Sequence, residues 1–214
     1  MLGAVRHPLD ASDMASYILQ AQSSAAEVIG LANAGNDTTN TIKVASDFGL
    51  TANGKKIAGF TTGVNNIHAI GLKQTAGLLA ASPFYWDLND DTRTWAKRFQ
   101  ARHPRHNMPN EMQAGVYSGL VHYFKVLNTG VDPSDGKAVV DAMKALPTSD
   151  ALFGEGRVRM ATHTMYLLQA KTPEESPEPW DYFAVKAKIA PEEAFRPLNE
   201  DHCPLVGKPS ASAR

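Results

Sequence analysis

The strongest constraint on the fold is an alternation of short apolar runs with segments of helical periodicity in the first 82 residues. The runs carry no alternating polar residues, which is typical of strands buried on both faces of a sheet. They predict strands at 28–32, 57–61 and 78–81, and the segments between them predict helices at 38–48 and 65–75. This order predicts an α/β fold with a parallel sheet flanked by helices.

The pattern changes after residue 88, where helices follow one another without strands until about residue 146. We predict helices at 89–103, 111–128 and 137–146, and the second has a continuous apolar stripe that includes Val116, Leu120 and Phe124. Strands return at 165–168 and 182–189. Helices with apolar faces need a surface to cover. Either these helices bundle together, or the sheet that they cover is encoded elsewhere.

Composition excludes several classes of protein. The chain has 21 basic and 22 acidic residues, so a broad basic face for nucleic acid is not expected. No apolar run approaches the roughly 18 residues of a transmembrane helix. The first residues lack the charged and then apolar layout of a signal peptide. The single cysteine, Cys203, rules out an internal disulfide, and we interpret it as an ordinary packed thiol.

Motifs for catalysis, metals and cofactors are missing from the sequence. It contains no G-x-G-x-x-G, no G-x-x-x-x-G-K-[ST] and no G-x-S-x-G. His103 and His106 form an H-x-x-H pair, but no cysteine or carboxylate cluster accompanies them, so a solvated helix end explains them. His202 is adjacent to Cys203, whereas catalytic pairs converge from separate elements. We therefore predict no enzymatic activity, no metal and no cofactor.

A binding role remains, because ligands of doubly wound sheets lie beyond the carboxyl ends of the strands. Those ends supply small residues, amides, hydroxyls and aromatic rings that suit a zwitterion or a carboxylate. The candidate ligand-binding residues are Asn33, Ala34, Gly35, Asn36, Phe60, Thr61, Thr62 and Tyr85. Asn36 and Asp37 precede a helix, so either exposed N–H groups there bind a carboxylate, or the two residues simply cap the helix. The aromatic run 84–86 favours packing over ligand contact.

Seven segments in a constant order resemble a known family. They are SYILQAQ (16–22), VIGLANAG (28–35), FYWDLND (84–90), AGVYS (114–118), WDY (180–182), EAFRP (193–197) and CPL (203–205). Together they resemble the substrate-binding proteins of bacterial ABC importers, in the leucine/isoleucine/valine-binding branch with the type I periplasmic-binding-protein fold. The resemblance runs from about residue 3 to residue 205.

The resemblance implies two α/β lobes joined by three crossovers at a hinge, with the ligand held between the lobes. Residues 1–82 would form the first part of lobe 2, and residues 83–151 the helices of lobe 1 without their sheet. Residues 152–190 would return to lobe 2, and residues 191–214 would form a C-terminal tail. The first lobe would therefore be incomplete, with its sheet upstream of this sequence. By position, residues 33–36 and 60–62 would contact the ligand, and Phe84 and Tyr85 would lie at or near the hinge.

The function implied is that of the solute-binding component of an ABC importer for branched-chain or aromatic amino acids or related carboxylates. The partners implied are that small-molecule ligand and a membrane permease. Two departures from the family pattern are the missing export signal with the first-lobe sheet, and a short turn at 157–163. They predict an N-terminally truncated copy. Intact members are periplasmic, whereas this chain as written would stay in the cytoplasm. A non-functional remnant and the effector-binding half of a cytoplasmic sensor or regulator remain as alternatives.

Overall fold

The computed structural model describes residues 1–158 and 163–195, and these fall into two compact units. The first unit comprises Met1–Ala114 and Tyr166–Lys188, and the second comprises Gly115–Met165 and Ile189–Arg214. The predictions for Cys203, for most of the turn at 157–163 and for the tail beyond residue 195 lie outside the described residues.

The order of elements alternates between strand and helix at first and then becomes helical. The strands are β1 (Val28–Leu31), β2 (Lys56–Gly59), β3 (Leu79–Ser82), β4 (Thr148–Asp150), β5 (Gly154–Gly156), β6 (Met165–Ala170) and β7 (Phe183–Ile189). The helices are α1 (Ala15–Ser23), α2 (Gly35–Asp47), α3 (Val64–Ile70), α4 (Leu72–Thr75), α5 (Asp90–Arg102), α6 (Glu111–Leu127), α7 (Gly136–Ala145) and α8 (Pro191–Ala194).

The first unit is built on a five-stranded sheet with the order β1-β2-β3-β6-β7. Strands β1, β2 and β3 are parallel, as the alternating pattern predicts. Strand β6 runs antiparallel to β3, because it starts beside the end of β3, where Ser82 is opposite Tyr166. The prediction of a parallel sheet flanked by helices is therefore confirmed for these three strands, and β6 makes the sheet a mixed one.

Helix α2 buries one side into the core of this unit. Thr38, Ile42 and Ala45 are fully buried at the three- and four-residue spacing that places side chains on one helix face. The helix is followed by Gly49 with φ of 66°, a left-handed conformation that ends helices and that glycine adopts without strain. The predicted helix at 38–48 is confirmed, with an earlier start at Gly35.

The predicted helix at 65–75 is two short helices, α3 and α4, separated by Gly71. Gly71 has φ of 96°, which no helical residue adopts. The apolar spacing runs through both segments, so periodicity alone could not reveal the break. In α5 the prediction is close, because Asn89 and Thr92 each accept a hydrogen bond from the other's backbone N–H, which fixes the start of that helix.

The second unit consists of α6 after its first turn, α7, α8 and the hairpin formed by β4 and β5. His122 Nε2 lies 2.9 Å from the carbonyl oxygen of Met143, and the Lys125 ammonium donates to the Ser149 carbonyl at 2.5 Å. These contacts hold α6 to α7 and to the hairpin. The hairpin is not predicted from the sequence, because its residues are polar and glycine-rich and give no apolar run.

The apolar stripe of α6 lies in contact with solvent. Val116 is 65% exposed, Leu120 49% and Phe124 57%, whereas Val126 is fully buried. The helix thus has one buried side and one uncovered apolar side within the described residues. No helix in the described part of the chain is long and apolar enough to cross a membrane.

Candidate functional site

The loops that follow β1 and β2 lie at the same edge of the sheet, because the two strands are parallel and adjacent. The loop after β1, the first turn of α2 and the loop after β2 together hold all but one of the predicted site residues. Ala34, Gly35, Asn36, Phe60 and Thr61 are exposed, Asn33 is half-buried and Thr62 is buried. The structure therefore divides these residues into two groups. The five exposed residues form what we call the exposed rim, and Asn33 and Thr62 lie behind it.

The two loops are joined to each other by hydrogen bonds. The Thr61 hydroxyl donates to the Asn33 carbonyl oxygen, and the Phe60 backbone N–H donates to the Leu31 carbonyl oxygen at 3.1 Å. The Phe60 ring lies against Gly30, with its Cζ only 2.9 Å from where a Cβ on Gly30 would be. Phe60 nevertheless remains 60% exposed. The edge thus presents one aromatic ring that a ligand can contact.

The amino-terminal end of α2 lies in the exposed rim and has no side-chain cap. The capping position is Ala34, whose methyl group cannot accept a hydrogen bond, and Gly35 follows with φ of 59°. The interpretation of Asn36 and Asp37 as capping residues is wrong, because both lie inside the first turn of the helix. The first N–H groups of a helix have no partner within it, and the positive end of the helix dipole favours negative charge, which Asp37 already supplies in part from the same turn.

The side chain of Asn33 is engaged inside the fold. Its Nδ2 donates to Thr41 Oγ1 at 2.8 Å, and its Oδ1 accepts from Thr38 Oγ1 at 3.4 Å. Both partners are on the buried side of α2. Asn33 therefore holds the loop after β1 against α2 and sets the position of the exposed residues that follow it.

Asp37 is a buried carboxylate beneath this rim, with 4% of its surface exposed. Its Oδ2 accepts from the Asp10 backbone N–H at 3.2 Å and lies 4.0 Å from His7 Nδ1. These contacts fasten the segment before α1 to the first turn of α2. The sequence analysis missed His7, since nothing in the pattern connects it with a residue 30 positions later.

Tyr85 lies apart from the exposed rim and is buried. Its hydroxyl donates to the Trp180 carbonyl oxygen at 3.1 Å and accepts from the Phe183 backbone N–H at 3.3 Å. Burial raises the pKa of the Tyr85 hydroxyl well above its usual range. Tyr85 and Thr62 nevertheless line the same small cavity, of about 10 Å³, together with Glu111. The predicted packing role of the 84–86 run agrees with the burial of Phe84 and Tyr85.

Glu111, at the start of α6, is a lining residue that the sequence analysis missed. Its carboxylate packs on Gly63, with its two oxygens 2.7 and 3.0 Å from where a Cβ on Gly63 would be. Burial raises the pKa of this carboxyl group, because the charged form loses hydration. An acidic residue in the first turn of a helix is common, so the sequence alone carries no signal for this position.

The described residues were compared with the requirements of a metal site. Within residues 1–158 and 163–195, no group of three or more histidine, cysteine, aspartate or glutamate side chains could hold a metal ion. The candidate site consists of the edge where β1 and β2 end, the uncapped end of α2, the exposed Phe60 ring and a small cavity lined by both polar and apolar side chains, and these features suit binding.

The family of the chain follows from its sequence. A profile of the family described as periplasmic binding protein matches residues 1–175. The chain belongs to the periplasmic binding protein family. The resemblance in the seven segments is thereby confirmed, and so is the type I fold that it implies. Members of this family are non-enzymatic, periplasmic solute-binding proteins of ABC transporters.

Solved structures of periplasmic binding proteins superpose on the chain. One, from Burkholderia mallei, is 42% identical over 96% of this chain and 54% of its own, with a TM-score of 0.86. Another, a branched chain amino acid ABC transporter periplasmic ligand-binding protein from Burkholderia xenovorans LB400, is 37% identical over 93% of this chain and 53% of its own, with a TM-score of 0.78. The chain therefore spans about half the length of these family members.

A more distant structure shows the shared fold alone. It is a solute binding protein of an ABC transporter from Rhodopseudomonas palustris HaA2, in complex with p-hydroxybenzoic acid. It is 18% identical over 88% of this chain and 52% of its own, with a TM-score of 0.73. No curated protein matches the chain.

Proposed function

We propose that this chain forms part of the solute-binding component of an ABC importer and binds a branched-chain or aromatic amino acid, or a related carboxylate. Family membership supports the transport role, and the relative named for branched chain amino acids supports the ligand class. The complex of the Rhodopseudomonas protein with an aromatic acid supports the wider range of carboxylates. The partner is a membrane permease, and binding involves no chemical step.

The observation that carries the proposal is that the uncapped end of α2 and the exposed ring of Phe60 follow neighbouring parallel strands, in loops joined by the hydrogen bond from Thr61 to Asn33. A ligand carboxylate accepts hydrogen bonds from the free N–H groups of the first turn, where the helix dipole favours negative charge. The Phe60 ring, which follows β2 at the same edge of the sheet, packs against the ligand's apolar side chain. This arrangement selects a molecule with one anionic group and an apolar body.

The mechanism is a shift between conformations. A ligand that contacts the edge of this sheet and a facing lobe binds the closed state better than the open state, so closure follows from differential affinity. We assign residues 1–82 and 152–190 to the lobe that carries this edge, and residues 83–151 to the facing lobe. The docking of the closed form on the permease then couples recognition to transport.

Calorimetric titration of the chain with L-leucine, L-phenylalanine and 4-hydroxybenzoate tests the proposal. Asn36→Asp adds a negative charge beside the carboxylate position, and we expect the dissociation constants to rise about fivefold, from about 1 kcal/mol of repulsion. Because acidic residues stabilise the first turn of a helix, the protein should stay folded. Asn40→Asp, an exposed change of the same charge one turn further along α2, is the control and should have a smaller effect.

The aromatic contact is tested by a matched pair of variants. Phe60→Ala should weaken binding of the same three ligands, whereas Phe48→Ala, a partly exposed phenylalanine that follows α2, should not. Lack of binding by all three ligands, or equal effects of Asn36→Asp and Asn40→Asp, would contradict the proposed site.

A further inference from the structure

The second half of α5 and the turn that follows it carry positive charge without nearby negative charge in the sequence. From position 92 to position 110 there is no acidic residue, although the chain as a whole has a net charge of only -1. Five basic residues fall in that interval: Arg93, Lys97, Arg98, Arg102 and Arg105. The structure shows which of these cations are balanced by carboxylates from elsewhere in the chain.

Within the described residues, carboxylates neutralise the first of these cations. The two terminal nitrogens of the Arg93 guanidinium lie 2.7 and 2.6 Å from carboxylate oxygens of Asp87 and Asp90. The other four cations are exposed and form no ion pair in the part of the chain that the structure describes. We call these four residues the basic patch: Lys97, Arg98, Arg102 and Arg105.

The basic patch begins on the solvent side of α5. The other side of this helix is buried through Thr92, Trp95 and Ala96, at the three- and four-residue spacing of one helix face. Arg98 and Arg102 are four residues apart, so their side chains are neighbours along the exposed side. The fold therefore presents these charges to solvent on one side of a single helix.

The turn after α5 is fixed to the helix and adds Arg105 to the basic patch. His103 Nδ1 accepts hydrogen bonds from the backbone N–H groups of Arg105 and Asn107, each at 3.3 Å. Gln100 Nε2 donates to the His106 carbonyl oxygen at 3.1 Å, and His106 Nδ1 lies 3.2 Å from the Gln100 carbonyl oxygen. The H-x-x-H pair thus fixes this turn, and Arg105 continues the charge beyond the end of the helix.

The stability of the fold does not account for the basic patch. Like charges four residues apart on a helix repel each other and destabilise it. The helix dipole favours a cation in the last turn, which holds Arg102, but this effect does not extend back to Lys97 or beyond the helix to Arg105. An anionic surface outside the chain would offset the repulsion among these cations.

We propose that the basic patch is a contact site for an anionic phospholipid bilayer. A bilayer presents phosphate groups in a plane, and cations on one exposed side of a helix contact such a plane without a groove. Members of this family work with ABC transporters, which lie in membranes. The contact does not depend on which ligand the chain binds, so it goes beyond the proposed function.

Sedimentation of the chain with vesicles tests this contact. Vesicles of phosphatidylglycerol and phosphatidylcholine in equal parts are compared with vesicles of phosphatidylcholine alone, and a sample without vesicles corrects for self-association of the chain. Each lysine or arginine near an anionic surface strengthens binding about fivefold, so at low salt we expect a preference for the anionic vesicles of about a hundredfold or more. High salt should remove the preference, because it screens exposed charges.

Variants locate the contact on the basic patch. Arg98→Gln/Arg102→Gln removes two charges and should weaken binding to the anionic vesicles about 25-fold. Arg98→Lys/Arg102→Lys keeps both charges and should retain the affinity. The control is Lys186→Gln/Lys188→Gln, which neutralises two exposed lysines of β7 and should weaken binding far less. Circular dichroism of each variant shows whether a lost affinity comes from unfolding.

Four results would overturn the proposal. The first is no binding to the anionic vesicles at low salt. The second is equal binding to both kinds of vesicle, or binding that persists at high salt, since an apolar surface would then be the contact. The third is an equal loss in the double glutamine variant of α5 and in the lysine control, which would indicate an effect of net charge. The fourth is binding to a short DNA duplex but to neither kind of vesicle, which would identify a nucleic acid as the partner.

Discussion

The imidazole of His68 stacks on the indole of Trp180, with ring centroids 4.0 Å apart and ring planes inclined by 15°. His68 Nδ1 also lies 2.9 Å from the Tyr182 hydroxyl. Through these contacts α3 is attached to the end of the connection between β6 and β7. The Trp180 carbonyl in turn accepts hydrogen bonds from Tyr85 and from Trp86 Nε1. One histidine thus supports the segment that positions the buried Tyr85 hydroxyl.

Replacement of His68 tests how much this stack contributes to stability. His68→Ala removes the ring contact and the hydrogen bond, and we expect the free energy of unfolding to fall by about 1 kcal/mol, the usual size for an aromatic pair. His68→Phe keeps a stacking ring and should recover part of the loss. Urea denaturation followed by tryptophan fluorescence measures both variants. Equal stability of all three proteins would show that the stack is not a stabilising contact.

Thr61 is the second test position, because its hydroxyl joins the loops after β1 and β2 by donating to Asn33. Thr61→Val keeps the shape of the side chain but removes the donor, and we expect a loss of about 1 kcal/mol in unfolding free energy. Ligand affinity should fall as well, since Asn33 precedes the start of α2. Thr51→Val, an exposed change in the turn after α2, is the control. Full affinity in Thr61→Val would mean that the rim does not need this connection.

Glu111 makes stability depend on pH. Its carboxyl pKa is raised in the folded state above its ordinary value of 4.5, so the folded protein holds this proton more tightly than the unfolded chain. The stability contribution is therefore complete below pH 4.5 and is lost as the pH rises through the folded-state pKa. Glu111→Gln cannot titrate, so its stability relative to the unaltered chain should increase across that range.

Urea denaturation of both proteins between about pH 4 and pH 8 measures this difference. The exposed change Glu155→Gln should give a smaller pH-dependent difference, because that side chain keeps its hydration. A difference between Glu111→Gln and the unaltered chain that stays constant with pH would rule out an effect of burial on this carboxyl group.

The exposed apolar side of α6 predicts self-association of the chain. Val116, Leu120 and Phe124 lie on one helix face and are each about half exposed or more. Contiguous exposed apolar surface promotes association. The double variant Val116→Lys/Phe124→Lys should lower the average mass in analytical ultracentrifugation and reduce binding of a hydrophobic dye. Leu19→Lys replaces an exposed leucine of α1 outside this face and should change neither. A monomeric, dye-silent parent chain would contradict the prediction.

Much of the architecture can be predicted from the sequence because the relevant signals are local. The apolar runs predict β1, β2 and β3 to within one or two residues. The interpretation of these runs as strands buried on both faces is wrong for β1, because it lies at the edge of the sheet and only its Leu31 is buried. The periodicity of α6 gives its bounds almost completely. That Asn33 and Phe60 lie at the same edge of the sheet can also be predicted from the sequence, because neighbouring parallel strands end on the same side.

Other features depend on groups that are distant along the chain. The antiparallel direction of β6 arises from where the chain returns to the sheet, and no residue of β6 encodes it. The division of the helix at Gly71 comes from a backbone angle that many glycines do not adopt. The hairpin of β4 and β5 has no apolar pattern and is held through Ser118 and Lys125 of α6.

The sequence by itself determines the family, the α/β class and the edge where a ligand is expected, because these follow from patterns within short segments. Only the tertiary structure decides which polar side chains are free there. It engages Asn33 and Tyr85 in internal hydrogen bonds, and among the described residues it gives the Thr62 hydroxyl no partner, in a cavity that the half-buried Glu111 also lines. Whether a hydroxyl or a carboxylate has a partner depends on residues tens of positions away, and no local pattern records that.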